Sequence, residues 1–216
     1  MVHARSGWVA SLVSVIAIVA VLVAPHGTVD AGKRRPDATG TLTRSQTVVT
    51  ANCLPKAKGQ IKLFKQGAVE RMVVSVSGMP KNSNFDVFVI QAPNAPFGLS
   101  WYQGDLHTGS DGTGSQTFLG RFSIETFIVA PGSQPAPVVH PGDDAATNPV
   151  TAPVHTFHVG LWFDSLQAQQ DAGCGGTVET PFNGDHTAGA QVLTTVPVTV
   201  NINGTDQVVG PLAKIQ

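Results

Sequence analysis

VERMVVSVSGMPKNSNFDVFVI, residues 69–90, joins two apolar runs of different period through a polar turn. In the first, Met72, Val74 and Val76 fall on one side of an extended chain, and Arg71, Val73, Ser75 and Ser77 on the other. A period of two is that of a strand with one face in the core. The second, FDVFVI at 85–90, is apolar on both faces apart from Asp86. That is the pattern of a central strand covered on both sides. Ser77-Gly78 separates them, glycine supplying the positive φ that a tight turn needs.

Working outward, similar short runs recur between turn signals, at the spacing of an all-β sandwich. Strands are predicted at Thr47–Cys53, Gln60–Lys65, Val69–Ser77, Phe85–Gln91, Ser100–Leu106, Ser115–Phe122, Thr126–Val129, His155–Phe163 and Thr194–Ile202. One helix is expected, Asp164–Gly173, with Asp164 or Ser165 as its cap and Gly173 as its end. The fold class is therefore all-β, an Ig-like or Greek-key β-sandwich of about 8–9 strands.

Composition agrees. Only 12% of the 216 residues are charged, 42% are hydrophobic, and there are 23 Gly and 15 Pro. Thirteen Lys and Arg against fourteen Asp and Glu give no basic surface, so nucleic acid is not an expected partner.

Residues 8–24, WVASLVSVIAIVAVLVA, follow His3 and Arg5 and precede the small residues around Ala31. This is the layout of a secretory signal peptide, 1–31, cleaved after Ala31. The rival reading is an uncleaved anchor, in which case the membrane is met only through this N-terminal segment. Residues 32–45 are polar and basic and read as a flexible linker, leaving 46–216 as a single β-sandwich domain. Within it, 130–154 holds six prolines and reads as a long Pro-rich loop. Cys53 and Cys174 are the only cysteines, too far apart in sequence for a CxxC pair and too few for a four-ligand zinc site, and in an oxidising compartment they are expected to form one disulfide.

GMPKNSNFDVFVIQ followed by LSWYQGDLHTGSDGTGSQTF, residues 78–91 and 99–118, resembles the extracytoplasmic domain of membrane-anchored anti-sigma factors. The matching positions are Gly78, Pro80, Phe85, Val87, Val89, Gly104, Leu106, Asp111, Gly112 and Gly114. The motif is structural, so the resemblance implies a fold and no active site. The zinc-binding segment that such regulators carry before the membrane is not seen ahead of the apolar run. The chain is more similar to uncharacterised secreted β-sandwich proteins of bacteria.

For chemistry, the tempting motif is HTFHVGLWFDS, 155–165. On a strand His155 and His158 point to opposite faces, so they do not share an ion without a bulge. His155, His158 and His186 are the weak metal candidates, with no metal or cofactor expected. No G-x-S-x-G motif marks a nucleophile, and adjacent acids such as Asp143-Asp144 are read as solvated, so no catalytic residue is assigned. Aromatic residues near polar loops favour binding instead, and Trp101, Tyr102, His155 and Phe182 are the candidate ligand-binding set, whereas Trp162 is expected in the core. The expected function is that of a secreted or cell-envelope binding or structural protein whose partner is an unknown protein or carbohydrate. The alternative is an exported metal-dependent or hydrolytic enzyme using the histidines.

Overall fold

The alternation at Val69–Ser77 builds the hairpin on which the sheet is laid out. Met72, Val74 and Val76 are buried, and Lys58–Gln66 pairs with Val69–Ser77 along its whole length, from Lys58 opposite Ser77 to Gln66 opposite Val69. The computed structural model describes residues 34–123, 126–127, 154–177, 179–180 and 187–215, with 126, 127 and 154 described by backbone alone. Arg35–Gln216 forms one unit and Met1–Arg34 another. The expected leader, nearly all of the Pro-rich loop, and Phe182 and His186 lie outside the described residues.

In chain order the elements are β1 (Ala38–Arg44), α1 (Gln46–Thr50), β2 (Lys58–Gln66), β3 (Val69–Ser77), β4 (Asn84–Ile90), β5 (Ser100–His107) and β6 (Gly114–Gly120). After them come β7 (Thr126–Phe127), β8 (Val154–His155), β9 (His158–Phe163), α2 (Leu166–Asp171), β10 (Gln191–Thr195), β11 (Val198–Ile202) and β12 (Thr205–Val209), and a 3₁₀ turn at Pro211–Ile215.

Eight strands form one antiparallel sheet in the order β5-β4-β9-β10-β1-β2-β3-β6. Its two edges are consecutive in the chain and meet through the Thr108–Gly114 bridge, so the sheet curls back on itself. With β4, β5 and β6 in succession and β3 beside β6, the order is that of a Greek key. The enclosed core takes one face of every strand in the sheet, including Leu42, Ile61, Leu63, Met72, Val87, Leu106, Leu161 and Leu193, all wholly buried. The protein is all-β, and closure protects most of the strand edges that an open sheet exposes. Small two-stranded ribbons, β7-β8 and β11-β12, are not hydrogen-bonded into the sheet, and β11-β12 packs Val200, Ile202 and Val209 on its core.

Two expectations about the beginning of the domain are corrected. Residues 38–44, expected within a flexible linker, form β1, which lies between β10 and β2. Its alternation is present but muted: Ala38, Gly40 and Leu42 point inward and Thr39, Thr41 and Thr43 outward. Small inward residues carry little apolar signal. Thr47–Cys53, expected as a strand, begins instead as helix α1. Ser45 caps it, its Oγ accepting from the Val48 N–H and donating to the Gln191 carbonyl at 2.5 Å. A cap tied to a neighbouring strand outweighs the β preference of Thr and Val here.

Elsewhere the predicted runs are cut more finely. His155–Phe163 is broken at Thr156-Phe157 into β8, paired with β7, and β9, paired with β4 and β10. Thr194–Ile202 is broken at Pro197, which has no N–H for a ladder. Helix α2 follows the prediction, with the Ser165 hydroxyl accepting from the Ala168 N–H at 3.1 Å and Gly173 leaving the helix at φ +74°. Cys53 and Cys174 are disulfide-bonded, their Cα atoms 5.2 Å apart, and the bridge links the chain after α1 to the chain after α2.

Candidate functional site

The double-sided apolar character of β4 fixes the geometry of its outer face. Phe85, Val87 and Val89 belong to the enclosed core, so Asp86, Phe88 and Ile90 face outward. On β9 the same division sends Val159, Leu161 and Phe163 inward and His158, Gly160 and Trp162 outward. Phe88, Ile90 and Trp162 form a second apolar cluster with Phe97 packed on it. Phe97 stands edge-on to Trp162 with ring centroids 5.0 Å apart, and Phe88 meets Trp162 at 5.4 Å. Gly160 makes room for that indole, since a Cβ there would come 2.5 Å from the ring. The segment carrying Phe97 is fastened down by the Pro93 carbonyl, which accepts from Thr194 Oγ1 at 2.8 Å and Gln191 Nε2 at 3.3 Å. Trp162 is wholly buried, as expected.

A bulge in β5 then shapes the polar end of this face. Asp86 pairs with Asp105 and Val87 with Gly104, but Phe88 pairs with Tyr102, which leaves Gln103 as the extra residue. In a regular strand Tyr102 and Asp105 would point opposite ways. The bulge returns both to the outer face, where the Tyr102 hydroxyl donates to Asp105 Oδ1 at 2.5 Å and its ring meets Phe88 at 5.4 Å. Trp101 is 55% exposed and Tyr102 42%, so both of these adjacent aromatic side chains reach solvent from the edge strand.

Asp86 lies under this edge at 1% exposure, and its Oδ2 has no hydrogen-bond partner among the described residues. Burial, followed by the charges of Asp164 and Asp105 and a hydrogen bond with Asp105, raises its pKa from 3.8 to about 7. A carboxyl group that ionises only near neutrality is thus placed opposite one that stays exposed. Burial, and then the hydrogen bond to Asp105, also holds the Tyr102 phenol above its ordinary value.

Asp164, the residue after β9, extends the acidic run to a neighbouring groove of about 710 Å³. Its walls include residues 79–84 on one side and α2 on the other, with Asp164, Asp171, Asn84 and Lys81 as polar lining. Asn84 Oδ1 is bonded to His107 Nδ1 at 2.9 Å.

Of the candidate histidines, the two that are described, His155 and His158, are not brought together with these groups. His158 is buried opposite Ile90, at the other end of β4 from Asp86, with Nδ1 3.0 Å from Thr195 Oγ1. His155 is half-buried and stacks on Phe157, centroids 4.8 Å apart and planes 6° apart. His186 and Phe182 lie outside the described residues. Among the described residues no group of three or more His, Cys, Asp or Glu is arranged to hold a metal ion. Of the aromatic set, Trp101 and Tyr102 are adjacent on β5, and His155 belongs to β8. The carboxyl groups were missed by sequence reasoning, although a single Asp in FDVFVI is a visible anomaly; its pairing with Asp105 depends on a bulge that no local pattern announces.

No protein-family model matches the chain, and no curated protein is significantly similar to it. No helix among the described residues is long and apolar enough to cross a membrane.

Proposed function

We propose that the chain is a secreted or cell-envelope binding protein, exported by the segment 1–31, with the exposed edge strand β5 as its contact surface. The observation that carries this reading is the exposure of the consecutive residues Trp101 and Tyr102, one on each face of an edge strand, with Asp105 beside Tyr102. Trp and Tyr are costly to leave in water and are enriched where interfaces concentrate their energy. The disulfide supports an oxidising destination. A rigid sheet beneath the aromatic pair supports binding at low entropic cost, because the strand that presents it is paired along its length with β4.

The test is retention of the purified protein on cell-wall material and on the secreted proteins of its producing cells, compared with Trp101→Ala and Tyr102→Ala. Neither side chain belongs to the enclosed core, so the variants are expected to keep the native circular dichroism. Loss of a central aromatic contact costs about 2 kcal/mol, which is roughly a thirtyfold loss of affinity. Equal retention of all three proteins refutes the assignment. N-terminal sequencing of exported protein is expected to begin at Gly32, and an intact Met1 on cell-free protein would overturn the leader.

A further inference from the structure

The near-equal totals of basic and acidic residues conceal a local imbalance at one end of the sheet. Arg44 ends β1, Lys56 lies in the turn that leads to β2, and Lys58 begins β2. All three line one open hollow of about 590 Å³, together with Thr43, Ser77 and Gly78, and no carboxyl group among the described residues lines it. Cations gathered from three segments repel one another, and an anion between them relieves that repulsion.

Local structure holds them in place. Arg44 is half-buried, and its Nη1 donates to the Cys53 carbonyl at 3.3 Å, beside the disulfide. The turn carrying Lys56 is closed by the Ala57 N–H, which donates to the Leu54 carbonyl at 3.0 Å. It is seated so close to Gly78 that a Cβ there would come 2.2 Å from the Lys56 carbonyl oxygen. Gly78 also has φ +69°, so one glycine serves both the bend after β3 and this close approach. Lys58 pairs with Ser77 across β2 and β3, which sets their side chains next to each other on the outer face.

These donors fit a phosphate group better than a carboxylate. A carboxylate accepts through two oxygens in one plane, whereas a phosphate monoester presents three terminal oxygens pointing apart and close to two negative charges. Guanidinium and ammonium groups arriving from different sides can each meet one of them. A second hollow, of about 370 Å³, shares Lys58 and Ser77 with the first and adds Gln60, Ser75 and Val76. Gln60 pairs with Ser75 on the same face, about 7 Å along the strands from Lys58 and Ser77. Amide and hydroxyl groups beside an apolar side chain suit a polyol or sugar, which offers both hydroxyls and C–H surface.

We propose that the two hollows bind a polyol or sugar phosphate, its phosphate held by Arg44, Lys56 and Lys58 and its carbon chain or ring lying toward Gln60 and Ser75. The site belongs to β1, β2 and β3 and does not depend on the reading of β5.

The experiment is an amide-shift titration of the isotope-labelled protein with glycerol 1-phosphate, glucose 1-phosphate, inorganic phosphate, gluconate and the phosphoserine peptide Gly-pSer-Gly, at low and at high salt. The glycerol and glucose phosphates are expected to shift the amides of Lys56, Lys58, Ser75, Ser77 and Gly78, to bind about fivefold more tightly than inorganic phosphate, and to weaken as salt is added. Lys56→Gln and Lys58→Gln, both at exposed positions, are each expected to weaken binding about fivefold. Lys62→Gln, on the same face of β2 but outside both hollows, is expected to change it less than about twofold. If Lys62→Gln weakens binding as much as the other two, the anion follows the diffuse charge of the face and the site is overturned. Equal binding of gluconate overturns phosphate recognition, and equal binding of inorganic phosphate overturns the polyol or sugar. Tighter binding of Gly-pSer-Gly replaces the ligand with a polypeptide and overturns the assignment. If no anion shifts these amides at low salt, the whole inference falls.

Discussion

Asp86 concentrates what the fold does to a single residue. Its backbone is an ordinary member of the β4 ladder, so its cost is carried by the side chain, which is buried between Asp105 and the charge of Asp164. The folded protein holds the Asp86 proton up to about pH 7 and the unfolded chain releases it near 3.8. Between these values the folded state binds more protons, so this group's contribution to stability is full below about pH 4, falls as pH rises through 7, and is flat above. Asp86→Asn removes the ionisation and leaves a side chain that still donates to Asp105. The variant is expected to match the wild type near pH 4 and to exceed it at pH 8 by roughly 2–4 kcal/mol in denaturant titrations. Other titrating groups cancel in the difference. A gap that does not change with pH would refute the burial argument.

At the scale of elements, legibility followed the size of the inward side chains. β3 and β4 are plain in the sequence because Met, Val, Phe and Ile alternate or run without interruption. β1 is just as central, but Ala38 and Gly40 fill its inward positions beside Leu42, so a strand in the middle of the sheet looked like a linker. α1 was hidden for another reason. Its residues Thr47, Val48 and Val49 favour strands, and the deciding contact is made by Ser45 with Gln191, far away in sequence. The same limit applies to the site: Tyr102 was legible as an exposed aromatic, whereas its union with Asp105 and Asp86 needs the β5 bulge and the β4 register. The Ser45 contact is testable. Ser45→Ala strips the helix of its cap and leaves the buried Gln191 carbonyl without that donor, at an expected cost of about 1–3 kcal/mol. A loss no larger than that of an exposed control, Thr43→Ala, would mean that α1 is held by Val48 burial alone.

For the whole molecule, the sheet and the disulfide hold different parts. The sheet is held together by long-range pairing, β1 with β10 and β4 with β9, and its core is continuous from Leu42 to Leu193. The two helices are short, and a helix of five or six residues has no stability of its own. Cys53 and Cys174 join the segments that follow them, across 121 residues of chain. Gln169 adds local ties, donating to the Gly175 carbonyl and accepting from the Ala190 N–H, each at 2.6 Å. Removing the bridge therefore enlarges the freedom of the unfolded chain and also releases the helical end from the sheet. Cys53→Ala with Cys174→Ala is expected to lower stability by about 2–5 kcal/mol in guanidinium titrations, a loss that reductant reproduces in the wild type. The loss should also be uneven. Hydrogen exchange is expected to quicken first at 46–54 and 166–176, while β3 and β4 amides slow or quicken only with global stability. Uniform acceleration across the sheet would show that the bridge supports the core directly. An unchanged midpoint would show that β1-β10 pairing already fixes the helical end, and that the disulfide is dispensable to the fold.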